Sequence, residues 1–125
     1  MSGPVLVDTD PGIDDALVLR YLVATGWWDL KAITAIAGNV PLTRAAANDR
    51  GLAALLGIER DVAVYGGCPR PIMRDLETAQ HVHGDDGMAG VVLPQLGLGQ
   101  VALGLAREEF AGHFVATLDA QASLQ

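Results

Sequence analysis

Four aspartates lie within eight residues near the N-terminus, and a proline–glycine pair divides them. Asp8 and Asp10 precede the pair, whereas Asp14 and Asp15 follow it. Two unit charges about 4 Å apart repel by roughly 4 kcal/mol at an effective dielectric constant of about 20, so this crowding must be offset. A helix N-terminus offsets part of it. A hard divalent cation such as Ca²⁺ or Mg²⁺ offsets more, because carboxylate oxygens are its preferred ligands. The pattern therefore indicates a cation site.

A strand–turn–helix unit is predicted to position these aspartates. Residues 5–7 are apolar and mostly β-branched, which is typical of a short buried strand. Pro11 ends the strand in a turn, and a helix is predicted to begin at Asp14 or Asp15 and to stop before Gly26. Because the turn directs the carboxylates towards one point, it favours the cation site over a simpler interpretation. In that interpretation, one aspartate caps the helix and the others are solvated.

Two further strands and a second helix are predicted downstream. Residues 30–37 alternate partly in hydropathy and form the second strand. Thr43 is expected to cap a helix that runs to residue 56 and stops at Gly57, and residues 61–65 form the third strand. Strand–helix–strand units are nearly always right-handed with parallel strands. The sequence therefore predicts an α/β fold with an open, mainly parallel, Rossmann-like sheet flanked by helices.

Polar or glycine residues follow each of the three predicted strands. The aspartates follow the first strand, Asn39 follows the second, and Gly66 and Gly67 follow the third. Ligands of open parallel sheets lie beyond the carboxyl ends of the strands, so these three loops are expected to converge on one site. An asparagine after a glycine is usually a turn residue, but its position at the same sheet edge favours a binding role for Asn39.

The composition excludes several classes of function. Fifteen acidic and eight basic residues give a net charge of −7, whereas a nucleic-acid polymer as partner calls for a basic face. The single cysteine, Cys68, excludes an internal disulfide and fits a reducing cytoplasm. We find neither the features of a signal peptide nor an apolar run of membrane-spanning length. A cytoplasmic globular protein that acts on a small molecule is expected.

Two other acidic motifs were compared with the aspartate cluster. An EF-hand loop that starts at Asp8 requires glycine and glutamate where Ile13 and Leu19 stand, so this interpretation fails. A dehalogenase-type, Mg²⁺-dependent phosphatase begins with a strand and an Asp-x-Asp motif, which Asp8 and Asp10 supply. Such enzymes have threonine or valine at the position of Gly12. The phosphatase remains the alternative enzymatic hypothesis.

A closer resemblance is to the inosine/uridine-preferring nucleoside hydrolases. The string from Asp8 to Ala16, Asp-Thr-Asp-Pro-Gly-Ile-Asp-Asp-Ala, resembles that family's N-terminal signature at every position. Residues 37–40, Ala-Gly-Asn-Val, resemble its second signature, and the segment that begins with His83-Gly84 is similar to its His-Gly-x-x-Gly motif. The resemblance covers about residues 4–94.

The resemblance implies hydrolysis of the N-glycosidic bond of a purine or pyrimidine ribonucleoside to ribose and free base, with a Ca²⁺-activated water. It places this chemistry in ribonucleoside catabolism and purine salvage. By resemblance, Asp10 and Asp15 bind the cation, Asp10 is also the general base, and Asp8 lies near the metal. Asp14 and Asn39 bind ribose hydroxyls, and His83 lies beside the base.

Other acidic and histidine residues are interpreted as structural. His81 and His83 stand two residues apart with no cysteine or third histidine nearby, so a transition-metal site is not expected there. His81 is expected at the surface, and Asp85 and Asp86 are interpreted as turn residues.

The resemblance also implies a domain division. Residues 1–95 correspond to the N-terminal part of a nucleoside hydrolase domain. Residues 96–125 are a divergent and helical tail in which Phe110, Phe114 and Leu118 share one helix face. The remainder of the family's domain normally supplies further ligands, so we expect this truncated chain to hydrolyse nucleosides poorly or not at all and to associate into homo-oligomers. A non-catalytic remnant of the family is the third hypothesis.

Overall fold

Strands and helices alternate along residues 3–94, which are the residues that this computed structural model describes. The elements are β1 (Pro4–Thr9), α1 (Ile13–Thr25), β2 (Asp29–Ala35), α2 (Leu42–Leu55), β3 (Ala63–Gly66) and α3 (Gln80–His83). β1 pairs with β2 and β2 with β3, both in parallel, so the spatial order of the sheet is β1-β2-β3. The predicted α/β class with a parallel sheet is confirmed.

Helices α1 and α2 pack on the same face of the sheet. Leu19 of α1, Ile33 of β2 and Leu52 of α2 belong to one buried cluster, and Val7 of β1 packs against it. This is the expected result when two right-handed crossovers proceed in the same direction across a parallel sheet. The first turns of both helices therefore lie towards the carboxyl edge of the strands, where the functional residues were predicted.

The helix boundaries differ in detail from the prediction. α1 begins at Ile13 with Gly12 as its N-cap, one or two residues earlier than expected. It ends at Thr25, and its C-cap Gly26 has the left-handed conformation with φ of 60°. The expectation that Thr43 caps the second helix is wrong. The N-cap is Pro41, with no side-chain capping hydrogen bond, and Thr43 lies inside the first turn. The ring fixes φ of Pro41 near −58°, so the chain enters the helix before it reaches the threonine.

Several large apolar side chains on and after α1 are exposed within the described part of the chain. Leu17, Val18 and Tyr21 of the helix and Trp27 and Trp28 after it are each more than half exposed. Tyr21 and Trp27 pack edge to face with ring centroids 6.0 Å apart. These side chains form exposed apolar surface outside the buried core.

The boundary at residue 95 and the tail of residues 96–125 with its helix face lie outside the described residues. Among residues 3–94, the helices are all too short or too polar to cross a membrane.

Candidate active site

Asp10 is held by the loop that follows β2. The backbone N–H of Asn39 donates to Oδ2 of Asp10 at 2.9 Å, and Nδ2 of Asn39 donates to the carbonyl oxygen of Asp10, also at 2.9 Å. Two hydrogen bonds between the same pair fix both the backbone and the carboxylate of Asp10. The structure thus brings together two of the residues that the sequence singled out.

Gly38 makes this close approach possible. A Cβ built at Gly38 would lie 2.7 Å from Cγ of Asp10, which is closer than real Cβ atoms come to a neighbouring atom. The glycine is therefore required by space: φ of Gly38 is not positive, and the side chain of Asp10 occupies the volume that a methyl group would need.

Asp15 closes the N-terminus of α1. The N–H of Gly12 donates to Oδ2 of Asp15 at 2.9 Å, so the third residue of the helix satisfies the N–H of its N-cap. Asp14, also in the first turn, is exposed. Asp15 thus stabilises the turn by a hydrogen bond, whereas Asp14 is exposed to solvent.

His83 reaches the same turn from α3. The N–H of Ile13 donates to Nδ1 of His83 at 3.4 Å, which is a long hydrogen bond. A Cβ at Gly12 would lie 2.9 Å from Cε1 of His83 and 2.8 Å from Nδ2 of Asn39, so both side chains contact this glycine. Asp10, Asp15, Asn39 and His83 therefore surround one turn, and His81 is exposed, as predicted.

The loop after β3 completes the convergence of three loops. The N–H of Gly67 donates to the carbonyl oxygen of Ala35 at 2.7 Å, and the N–H of Ala37 donates to that of Cys68 at 3.1 Å. The ends of β2 and β3 are thereby joined beyond the regular sheet. The predicted meeting of the three loops at one edge is confirmed.

Asp8 lies apart from this group. Its Oδ1 accepts a hydrogen bond from Oγ1 of Thr34, its neighbour across the sheet, at 2.5 Å. Because Val7 faces the helices and side chains alternate along a strand, Asp8 lies on the face that α1 and α2 leave uncovered. Its proposed position near a metal remains a prediction.

Asp86 has the turn role expected of it. The N–H groups of Met88 and Gly90 donate to its carboxylate, and these hydrogen bonds lower the pKa of Asp86. The carbonyl oxygen of Asp86 accepts a hydrogen bond from Nδ2 of the buried Asn48 at 2.7 Å. This bond connects the segment after α3 with α2.

Sequence reasoning missed Asp49, which lies on α2 among buried residues. Its side chain has no exposure, and neither carboxylate oxygen has a hydrogen-bond partner within the described residues. Burial, followed by the charges of Asp15, Asp10 and Asp8 in that order, raises the pKa of Asp49 to about 8. The signal was present in the sequence, because Asp49 falls four residues after Ala45 and four before Ala53 on the apolar stripe of its helix.

The described residues contain no group of three or more His, Cys, Asp and Glu side chains already placed to hold a metal ion. The donor chemistry nevertheless fits a hard cation. Within residues 3–94 the hydrogen bonds to Asp10 and Asp15 end on Oδ2 of each, which leaves Oδ1 of each for an ion.

The chain was compared with known families and with proteins of known sequence. The sequence profile of a family described as inosine-uridine preferring nucleoside hydrolase matches residues 5–122. The pyrimidine-specific ribonucleoside hydrolase RihA of Citrobacter koseri is 43% identical over 95 residues, and that of Photobacterium profundum is 40% identical over 95 residues. Each match covers 76% of this chain and 30% of the relative.

Solved structures give the same result. A plant nucleoside hydrolase superposes with a TM-score of 0.69 at 33% identity, over 78% of this chain and 31% of that one. A purine-preferring ribonucleoside hydrolase from Gardnerella vaginalis superposes with a TM-score of 0.68 at 30% identity, over 74% of this chain and 30% of that one. The chain thus spans about a third of the length of the proteins it matches.

Proposed function

The chain belongs to the inosine-uridine preferring nucleoside hydrolase family, and from that premise we propose that it takes part in hydrolysis of the N-glycosidic bond of ribonucleosides. The observation that carries the proposal is the pair of hydrogen bonds that Asn39 donates to Asp10 beside the start of α1. It fixes one carboxylate at the edge of the sheet where ligands of this architecture bind. The family match also favours this activity over the dehalogenase-type phosphatase.

Asp10 and Asp15 are the residues that would hold Ca²⁺, through the Oδ1 atoms that internal hydrogen bonds leave over. An ion held there would supply a water of lowered pKa, which is nucleophilic at neutral pH. Asp10 would act as general base towards that water, and its two hydrogen bonds with Asn39 orient it for that task. Asp8 accepts a hydrogen bond from Thr34 and thereby stabilises the pairing of β1 with β2.

Asp14 and Asn39 are proposed to bind the ribose. The exposed carboxylate of Asp14 is an acceptor for hydroxyl groups at the start of α1. Nδ2 of Asn39 is occupied by the carbonyl of Asp10, so Oδ1 is the atom that accepts from a ribose hydroxyl. Both contacts hold the sugar beside Asp10, and such positioning is a large part of catalysis.

His83 is proposed to lie beside the base. Its Nδ1 accepts a hydrogen bond from the N–H of Ile13, so a neutral ring carries its proton on Nε2. That proton is a donor available to the base as the glycosidic bond breaks. The oxocarbenium-like transition state of glycoside cleavage leaves electrons on the departing group, and a donor there stabilises them.

The base preference does not follow from family membership. The relatives named above include pyrimidine-specific and purine-preferring enzymes. We therefore propose a ribonucleoside substrate of either class.

The test is ribose release from inosine and from uridine by the 125-residue chain, with and without Ca²⁺. Release that is slow or absent, and dependent on Ca²⁺ where it occurs, is expected, because the match covers only 30% of the relative's length. Asp10→Asn should abolish it, whereas Asp61→Asn, which removes an exposed carboxylate between α2 and β3, should leave it unchanged.

Three outcomes separate the hypotheses. Release that persists in Asp10→Asn contradicts the proposed base. Calcium binding without any release favours the non-catalytic remnant. Mg²⁺-dependent phosphate release from a phosphomonoester, without ribose release, favours the phosphatase.

A further inference from the structure

The segment that follows α3, residues 84–90, has an unusual backbone, and we call it the 84–90 turn. Four of its seven residues have positive φ: Gly84, Gly87 and Gly90, with values of 78–83°, and Ala89, with 52°. Ala89 is the one non-glycine residue of this kind in the described part of the chain. An alanine in this conformation is strained, and such strain persists where surrounding contacts impose it. Contacts must therefore hold the 84–90 turn in shape.

Asp86 supplies the contacts inside the turn. Its Oδ1 accepts a hydrogen bond from the N–H of Met88 at 2.9 Å, and its two carboxylate oxygens accept from the N–H of Gly90 at 3.2 and 3.1 Å. These bonds lower the pKa of Asp86, so they favour its charged form. Met88 is buried in the same core cluster as Leu19. The carboxylate of Asp86 thus connects the turn with the core.

The turn also lies directly against α2 and the aspartate segment. The buried Asn48 donates from Nδ2 to the carbonyl oxygen of Asp86 at 2.7 Å. A Cβ built at Gly87 would lie 3.0 Å from Cγ1 of Val40 and 3.2 Å from the carbonyl oxygen of Pro11. Few real Cβ contacts are this short, so the 84–90 turn packs tightly beside the residue that precedes Gly12.

His83 is connected to the turn through its backbone. The N–H of Ala89 donates to the carbonyl oxygen of His83 at 2.8 Å. The ring is held less firmly, because the hydrogen bond from the N–H of Ile13 to Nδ1 of His83 is 3.4 Å long and exceeds the usual range. α3 itself has only four residues, and a helix of that length is not stable on its own. The position of the imidazole therefore depends on the 84–90 turn.

We propose that Asp86 is a positioning residue for His83 and holds its imidazole against the start of α1 through the 84–90 turn. The inference rests on the proposed function, which places His83 beside the departing base. The carboxylate of Asp86 fixes the bend that contains Ala89, and Ala89 fixes the carbonyl group of His83. A donor to the base must be held at hydrogen-bond distance to act in the transition state, and a displaced ring loses that geometry.

NMR spectroscopy of the full chain with isotope-labelled histidine rings tests this role at about pH 8, where histidine is ordinarily neutral. In the parent chain we expect one protonated and one acceptor nitrogen on His83. We also expect a nuclear Overhauser contact between Hε1 of His83 and the Hα atoms of Gly12, since Cε1 lies against this glycine. Asp86→Ala should lose this contact, and the shifts of the two ring nitrogens should approach each other as the tautomers mix. His83→Gln assigns the signals.

Asp85→Ala is the matched control. Asp85 is the neighbouring exposed acid, and its carbonyl oxygen, rather than its carboxylate, accepts a hydrogen bond from Nε2 of Gln80 at 3.2 Å. This variant should keep the contact between His83 and Gly12. Loss of the contact in both variants would overturn the proposal, and so would its retention in a folded Asp86→Ala chain.

Thermal melting shows whether each variant folds. If Asp86→Ala does not fold, Asp86→Asn takes its place, because the amide keeps one acceptor oxygen for the N–H of Met88 and loses the second. A weaker contact between His83 and Gly12 in Asp86→Asn then supports the role, and a contact of full strength contradicts it. Failure of both variants to fold would also overturn the proposal, since Asp86 would then be required for folding itself.

These NMR measurements require no nucleoside, so their outcome is distinguishable from that of the proposed function. Absence of ribose release by the parent chain bears on that function alone. Where the parent chain releases ribose, Asp86→Ala should lower kcat, whereas Asp85→Ala should not. A displaced His83 ring with an unchanged kcat would support the positioning by Asp86 and contradict the role of His83 beside the base.

Discussion

Asp49 is a buried carboxyl group whose pKa is raised in the folded chain. Asp49 has the surroundings of a core residue and the charges of the site as neighbours. Its ordinary pKa of 3.8 is raised to about 8 in the fold, first by burial and then by Asp15. The folded chain without metal therefore holds a proton that the unfolded chain releases, and the stability of the fold must depend on pH.

The sign of that dependence follows from proton counts. Between about pH 4 and pH 8 the folded state binds one more proton at Asp49 than the unfolded state does. The free energy of unfolding should then fall as the pH rises through this window, by at most about 1.4 kcal/mol per pH unit, and level off above it. Asp49→Asn should remove this component of the slope.

Urea unfolding from pH 5 to pH 9 in the presence of a chelator measures the effect. Asp61→Asn serves as the control and should retain the slope of the parent chain. Identical slopes for the parent chain and Asp49→Asn would contradict the raised pKa.

At the scale of elements, the sequence predicted what local patterns determine. The order of strands and helices, the parallel pairing and the convergence of three loops were confirmed, because apolar runs and glycine or proline breaks specify them. The second strand was predicted to extend to residue 37 but ends at Ala35. Beyond that point Ile36 and Ala37 still donate hydrogen bonds, to Thr9 and Cys68, outside the regular ladder.

What the sequence did not predict depends on contacts between distant elements. Asp49 shows as an acid on an apolar stripe, but only the packing of α1 beside α2 relates it to Asp15. The separation of Asp8 from the other aspartates depends on the strand pleat and on the contact with Thr34. The roles assigned to Asp8, Asp10, Asp14, Asp15, Asn39 and His83 stay predictions, since the geometry brings most of them together without testing what they bind.

The loop after β2 must approach the loop after β1 closely, and Gly38 is the residue that permits this. Gly38→Ala should push Asp10 away, because its Cβ would fall 2.7 Å from Cγ of that aspartate. We expect a loss of stability of about 1–3 kcal/mol together with weaker calcium binding. Gly3→Ala is the matched control, since a Cβ at Gly3 makes only an ordinary contact, 3.7 Å from Trp28. Chemical unfolding and calorimetry measure both effects, and a fully stable, calcium-binding Gly38→Ala chain would show that the two loops adjust.

For the whole molecule, the arrangement of residues 3–94 leaves two kinds of surface without cover. Within this range β1 has a strand partner on one side only, so its other edge presents free backbone groups. The exposed apolar side chains of α1 and of the Trp27–Trp28 pair form the second surface. Contiguous apolar surface of this kind usually marks a contact with another part of a protein or with a second chain.

We therefore predict that the 125-residue chain associates with itself in solution. Burial of apolar surface contributes about 25 cal/mol per Å², so partners that cover the α1 face gain free energy on association. Sedimentation velocity over a range of concentrations should show oligomers that grow with concentration. Leu17→Lys, which places a charge on the exposed α1 face, should shift the distribution towards monomer. Ala47→Lys, an equivalent change at an exposed position of α2, should not. A monomer that melts cooperatively at every concentration would mean that these surfaces are covered within a single chain, and the prediction of homo-oligomers would then be wrong.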